Sequence, residues 1–188
     1  MFIGLIPYKH LFLLFFDMWR QEVKEIRMII NLYKFQEVDF DDYFKLVNNE
    51  KVMAQITERS ISYKEAKINY QKILERNEKF KDYGSFKIYD GLGQEFIGLG
   101  SLILNENQPS EAEIGYMILP EFWGQGYGKE IAGLLTEKAQ KLELKQLKAI
   151  IDPNNVPSKK ILTYLGFKTE KVCILDGLPG EIMYKILA

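Results

Sequence analysis

Histidine and cysteine are almost missing from this sequence: one of each, His10 and Cys173, in 188 residues. An intrachain disulfide is excluded, and a thiolate or imidazole metal site, which needs several such ligands, has no donor set. A relay of nucleophile, histidine and acid would have to use His10, which sits beside apolar runs and reads as a packed side chain. Proton chemistry therefore falls to carboxylates, lysines, tyrosines or water. An excess of one charge is missing too: Lys and Arg number 25 against 26 Asp and Glu, for a formal charge of −1. Nucleic-acid binding draws on a cationic surplus, so no nucleic-acid partner is expected. Long apolar runs are also lacking. Phe2–Ile6 and Leu11–Phe16 are interrupted or bounded by Pro7, Lys9, His10 and Asp17, well short of the roughly 20 apolar residues of a membrane-crossing helix. They carry no basic leader or small-residue cleavage site. A cytoplasmic chain without a membrane span is the expectation, in keeping with the lone thiol.

What is present fits one globular domain: 47% hydrophobic and 27% charged residues support a single core. Residues 1–27 read as an apolar N-terminal accessory segment and 28–188 as the domain. From Ile29 the apolar spacing alternates between strand and helix periods. Ile29–Phe35 reads as a strand. Asp39 then opens a helix to about Val47, with Asp41 and Asp42 either supporting its first turn or, together with Glu37, attracting a cationic ligand; capping is the stronger reading. Ser62 and Glu65 have capping-box spacing before a long amphipathic helix. Phe86–Tyr89 and Phe96–Leu104 form a hairpin about Asp90–Gly93, and Glu113–Leu119 is a third strand ended by Pro120. A helix from about Lys129 to Leu142, a strand Leu147–Ile151, and a helix capped by Asn154 or Asn155 follow. The strands Phe167–Leu175 and Ile182–Leu187, joined through Asp176-Gly177 and Pro179-Gly180, close the sheet. The fold class is α/β, with a mixed, largely antiparallel sheet flanked by helices.

Between the third strand and the next helix lies Trp123-Gly124-Gln125-Gly126-Tyr127-Gly128-Lys129-Glu130. Alternate glycines let a backbone approach a ligand closely, and the amides at a helix start attract phosphate oxygens. A tight strand-to-helix turn explains the glycines equally well. A P-loop is excluded, because Gly124 and Gly128 enclose three residues rather than four and Glu130 follows Lys129 where Ser or Thr is required. A dinucleotide fingerprint wants glycine at Lys129 and an acidic strand end further on, and neither is found.

Together with its neighbours the loop resembles the acyl-CoA-binding motif of the GNAT N-acetyltransferase superfamily. Ala112-Glu113-Ile114-Gly115-Tyr116 followed by Leu119-Pro120-Glu121-Phe122-Trp123-Gly124-Gln125-Gly126-Tyr127-Gly128 is similar to the branch that acetylates ribosomal-protein N-termini. Asp152-Pro153-Asn154-Asn155-Val156-Pro157-Ser158 followed by Leu165-Gly166-Phe167 resembles its second signature. The likeness runs from about Ile29 to Ile186. It implies acetyl-CoA as donor and a primary amine as acceptor, with the pyrophosphate on the backbone of Gln125, Gly126, Tyr127, Gly128 and Lys129. Asn155 and Ser158 would hold the cofactor, alongside their reading as helix caps. The third strand and Leu147–Ile151, fourth and fifth in the family's core, would splay into a V-shaped slot. Main-chain groups near Met117 and Ile118 would line the pantetheine and polarise the thioester carbonyl. Glu113 takes the place of the branch's catalytic glutamate, as general base directly or through water; an ion-pair role is its alternative, and Glu121 is the reserve. The sequence departs from the family at Leu162, where many members carry a proton-donating tyrosine, and at Trp123, where many carry Gln or Arg. The Leu162 departure leaves open a second reading, a CoA-binding sensor or interaction domain that has lost chemistry. Relatives often pair, and a homodimer is compatible with the apolar N-terminal segment.

Overall fold

The computed structural model describes residues 29–91 and 95–187. The N-terminal segment, His10 and the hairpin tip at Leu92 and Gly93 therefore lie outside the described residues. The strands are β1 (Ile30–Lys34), β2 (Gly84–Asp90), β3 (Phe96–Leu104), β4 (Glu111–Ile118), β5 (Gln146–Ile151), β6 (Lys168–Leu175) and β7 (Leu178–Ile186). The helices are α1 (Phe40–Val47), α2 (Glu50–Met53), α3 (Tyr63–Lys79), α4 (Tyr127–Lys141) and α5 (Val156–Tyr164).

All seven strands belong to one sheet, in the order β1-β2-β3-β4-β5-β7-β6. Short turns keep β2 to β4 antiparallel, β1 pairs antiparallel with β2 after the chain passes through α1 to α3, and β7 runs antiparallel to both β5 and β6. Only β4 and β5 are parallel, and α4 supplies the crossover that a parallel pair requires. Strand alternation divides the side chains between two layers. Ala112 and Ile114 of β4 are buried on the face that carries α4, since a Cβ on Gly100 of the neighbouring strand would meet Ile131 and Leu135 at 3.5 Å. The second crossover helix, α5, lies on that face as well: Lys185, the register partner of buried Leu147, donates to the Leu165 carbonyl at 2.5 Å. On the opposite face α1 and α3 cover β1 to β3 over an aromatic cluster of Phe35, Phe40, Tyr43, Tyr70 and Phe96. Asn77 ties α3 to the sheet by accepting the Ser85 amide at 2.9 Å.

The α/β architecture is as expected, three local readings are corrected and one short helix is added. Asp39 sits at the start of α1 but caps nothing there; its carboxylate accepts the Gln36 amide at 2.8 Å and pairs with Lys87 at 2.6 Å. The nearby part-buried amine is the stronger partner for an acid inside the protein. Ser62 does accept the Glu65 amide, whereas the Glu65 side chain turns to Arg59 at 2.9 Å, leaving the capping box half made. Pro179 and Gly180 lie within β7. The turn is Asp176-Gly177 alone, both at positive φ (48° and 87°), the pattern of a two-residue hairpin. Pro179 is tolerated because it sits next to the turn, where a missing donor harms the ladder least. The four-residue α2, capped by Asn49, was not expected, being too short to show a helical period.

Candidate active site

Pairing between β4 and β5 extends from Glu111/Gln146 to Ile114/Ala149 and stops. β4 nevertheless runs on to Ile118 and β5 to Ile151, so the two edges diverge into the expected V-shaped slot. The Leu119 amide donates to the Ile97 carbonyl, which makes the register partners Gly98 and Ile118 a non-hydrogen-bonded pair. The peptide groups of Met117 thus face β3, and those of Ile118 face the slot. Of the two residues expected to line the pantetheine with main-chain groups, only Ile118 presents them. Its carbonyl is already taken by the Trp123 indole N–H at 2.7 Å, leaving its amide as the donor.

The glycine loop stands beside the slot on the α4 face. Gly124 and Gly126 hold φ of 74° and 94°, conformations that favour residues without a Cβ. Gly126 is the N-cap residue of α4 and its carbonyl accepts the Lys129 and Glu130 amides at 3.1 and 3.2 Å. Helix geometry leaves the Tyr127 and Gly128 amides without an intrahelical acceptor. Of the Gln125–Lys129 stretch expected from sequence, the Lys129 amide is thus turned inward to the Gly126 carbonyl. The Gln125 side chain turns back to the Glu121 carbonyl at 2.7 Å, Tyr127 packs edge-on against Phe122, and the Lys129 ammonium lies 3.9 Å over the exposed Tyr164 ring. Gly128 is where the elements meet: a Cβ there would be 2.9 Å from Ile161 of α5 and 3.5 and 3.6 Å from Ile118 and Tyr116 of β4.

Asn155 rather than Asn154 caps α5, accepting the Ser158 amide at 3.1 Å, while Asn154 closes a turn on Asp152. The two helix starts and the open part of β4 thus converge. Leu162 is buried and Tyr164 points outward, as the helical spacing implied. Glu113 lies on the opposite face of the sheet, one residue before the vertex of the slot. Its carboxylate is 3.2 Å from the ammonium of Lys148, its register partner on β5, and both side chains keep solvent contact. Tyr184, paired with Lys148 in register, completes that group. Burial and the carboxylates of Glu111 and Glu170 raise its phenol, with Lys148 easing the rise. Glu121 forms an exposed 3.4 Å ion pair with Lys45, a contact worth little.

The acidic group near α1 is less open than its sequence implies. Asp39 is paired with Lys87, and Asp42 accepts the Tyr89 hydroxyl at 2.7 Å. Sequence reasoning missed Lys148, Tyr184 and a buried carboxylate, Glu181, which bonds Thr169 at 2.5 Å and Lys159 at 2.9 Å. Burial alone would lift the Glu181 pKa, but those two partners outweigh it and hold the group below the usual carboxylate value. Strand alternation alone would have placed these residues on their faces; their partners lie on β5, β6 and α5, brought together by a register that no local pattern fixes.

A split sheet with two helix starts at the split defines an α/β domain suited to an extended, phosphorylated ligand. Comparison with known proteins makes this specific. A family model for the acetyltransferase (GNAT) domain matches residues 30–168. The uncharacterized N-acetyltransferase p20 of Bacillus licheniformis is 32% identical over 77 residues, 40% of this chain and 43% of that protein. The chain thus spans under half the length of the curated relative. The Vibrio cholerae spermidine N-acetyltransferase, solved with CoA and spermine, superposes with a TM-score of 0.70 at 22% identity, covering 84% of this chain and 95% of that one. RimL, a ribosomal L7/L12 α-N-protein acetyltransferase solved with coenzyme A, gives 0.69 at 19% identity over 87% and 97%. The chain belongs to the GNAT acetyltransferase family, whose members draw acetyl from acetyl-CoA.

Proposed function

We propose that this chain transfers the acetyl group of acetyl-CoA to a primary amine by direct attack within the β4–β5 slot. The observation that carries the reading is the convergence at Gly128 of the α4 start, α5 and the unpaired stretch of β4. The pyrophosphate rests on the Tyr127 and Gly128 amides, and Asn155 and Ser158 hold the pantetheine side. The Ile118 amide, pinned by Trp123, faces the position where the tetrahedral oxyanion forms, and such a fixed donor is a large contribution to acyl transfer. The amine enters from the opposite face, where Glu113 accepts its proton directly or through water. Metal plays no part in this account, and the roles fall to carboxylate, amide and hydroxyl groups.

The acceptor classes to test follow from the relatives: a polyamine, and peptides beginning with Ala or Ser as in ribosomal-protein acetylation. The decisive experiment is calorimetric titration of acetyl-CoA, followed by thiol release with that panel plus free amino acids. Binding with turnover of at least one amine is the expected result. A sensor or interaction domain is the second reading, favoured by buried Leu162, and it predicts binding without turnover of any amine.

A further inference from the structure

Among the described residues one buried side-chain polar atom has no hydrogen-bond partner, the phenolic oxygen of Tyr116. Buried hydroxyls are nearly always paired, and an orphan in a cleft points to a partner that arrives with a ligand. Tyr116 lies on β4 two residues beyond Ile114, the last residue paired with β5, so its side chain starts from the open part of the slot. Its ring edge is 3.6 Å from where a Cβ on Gly128 would be. The hydroxyl ends beside Ser158 in the first turn of α5, close enough for Ser158 to influence it yet outside hydrogen-bond geometry. The phenol thus spans from β4 to the start of α5 beneath the start of α4. Burial raises its pKa, with Ser158 partly opposing, so the group stays protonated across physiological pH.

Aminolysis of a thioester expels a thiolate. Leu162, on the inward face of α5, has no proton to give. On the acetyl-transfer reading above, we infer that Tyr116 donates its phenolic proton to the departing coenzyme A sulfur, and that Ser158 relays a solvent proton back to the phenolate. The C–S bond breaks with its electron pair on sulfur, and the N–C bond forms from the amine lone pair. The phenolic proton moves to sulfur. The proton lost by the amine leaves through Glu113 or water and balances the one returned through Ser158, so the products are amide and free thiol with no redox change.

The test is Tyr116→Phe, which keeps the ring packing and removes only the unpaired oxygen, so its melting temperature should match or exceed that of the unmodified chain. The expected result is a kcat lower by about 30-fold at pH 7, the factor separating a thiol pKa of about 8.5 from that pH. The acetyl-CoA Kd should stay unchanged, and the kcat deficit should close as pH rises through the thiol pKa. A kcat within twofold of the unmodified chain overturns the inference. So does a raised Kd with kcat intact, which makes the phenol a cofactor contact only. If the unmodified chain turns over no amine at all, the acetyl-transfer reading fails first and the inference with it.

Discussion

Glu113 is the residue on which proton removal depends in this account, and the acceptor's own basicity decides how much it matters. An α-amine with a pKa near 7.7–8.0 is about one-tenth to one-sixth free base at pH 7, whereas a lysine-like amine near 10.4 is less than about one-thousandth free base. Glu113→Gln should therefore lower kcat/KM by less than about tenfold for a peptide N-terminus, and by about 100-fold for a polyamine. Profiles of kcat/KM against pH for both acceptors check this, and equal losses for both would remove Glu113 from the base role. The mutation should leave folding stability within about 1 kcal/mol, because its pair with Lys148 is partly solvated. The loop glycines also separate at this scale. Gly126→Ala forces a Cβ into a left-handed N-cap and should cost about 1–2 kcal/mol in urea unfolding. Gly128→Ala should be nearly neutral for folding, since its one tight contact is with the flexible end of Ile161 and those with Ile118 and Tyr116 are ordinary packing distances, but should weaken coenzyme A binding by crowding the approach between α4 and α5. Both glycines were legible in the sequence, and their different reasons were not: one is a dihedral, the other a contact with a helix many residues away. Tyr116 was illegible for a related cause. It alternates with Ile114 and Ile118, and such a tyrosine reads as core until its hydroxyl is found without a partner.

At the scale of elements, the sequence announced what local chemistry determines. Strand β3 matches its expected bounds, Ser62 caps α3, and Asn155 caps α5. Asp39 failed as a cap of α1 because Lys87, reached only after β2 pairs with β1, competes for its carboxylate. The turn at Pro179-Gly180 failed because Asp176-Gly177 already reverses the chain, and β7 must extend to pair with all of β6. Asn155→Ala makes the capping claim testable. Loss of the Ser158 amide's acceptor should cost about 1 kcal/mol in folding stability, and the acetyl-CoA Kd should rise, since the same helix start forms one wall of the slot. A loss of stability with unchanged affinity would confine Asn155 to capping.

For the whole molecule, the sheet consists of two halves joined by the four-pair parallel ladder of β4 and β5 and by the contact of α4 with α5. Glu181 ties α5 to the second half through Lys159. Its depressed pKa contributes stability that is present above the unfolded carboxylate value, near 4.5, and is lost as pH falls through the lower folded value. Glu181→Gln should cost about 2 kcal/mol at pH 7 and flatten the acid limb of a stability profile below pH 5. Fold class was foreseen because it follows from the order of strands and helices, and the slot because the resemblance carried by the glycine loop and its neighbours implies it. The charge partners that stabilise the halves were not, because they depend on register between distant strands. The central claim is that the start of α4 grips coenzyme A beside the slot, and titration of that cofactor into the isotope-labelled chain, followed by amide NMR shifts, tests it most directly. The account predicts the largest shifts at Tyr127, Gly128, Ile118 and Ser158; silence at those amides, or shifts confined to the separate groove at Lys34, Glu75 and Glu78, would contradict it.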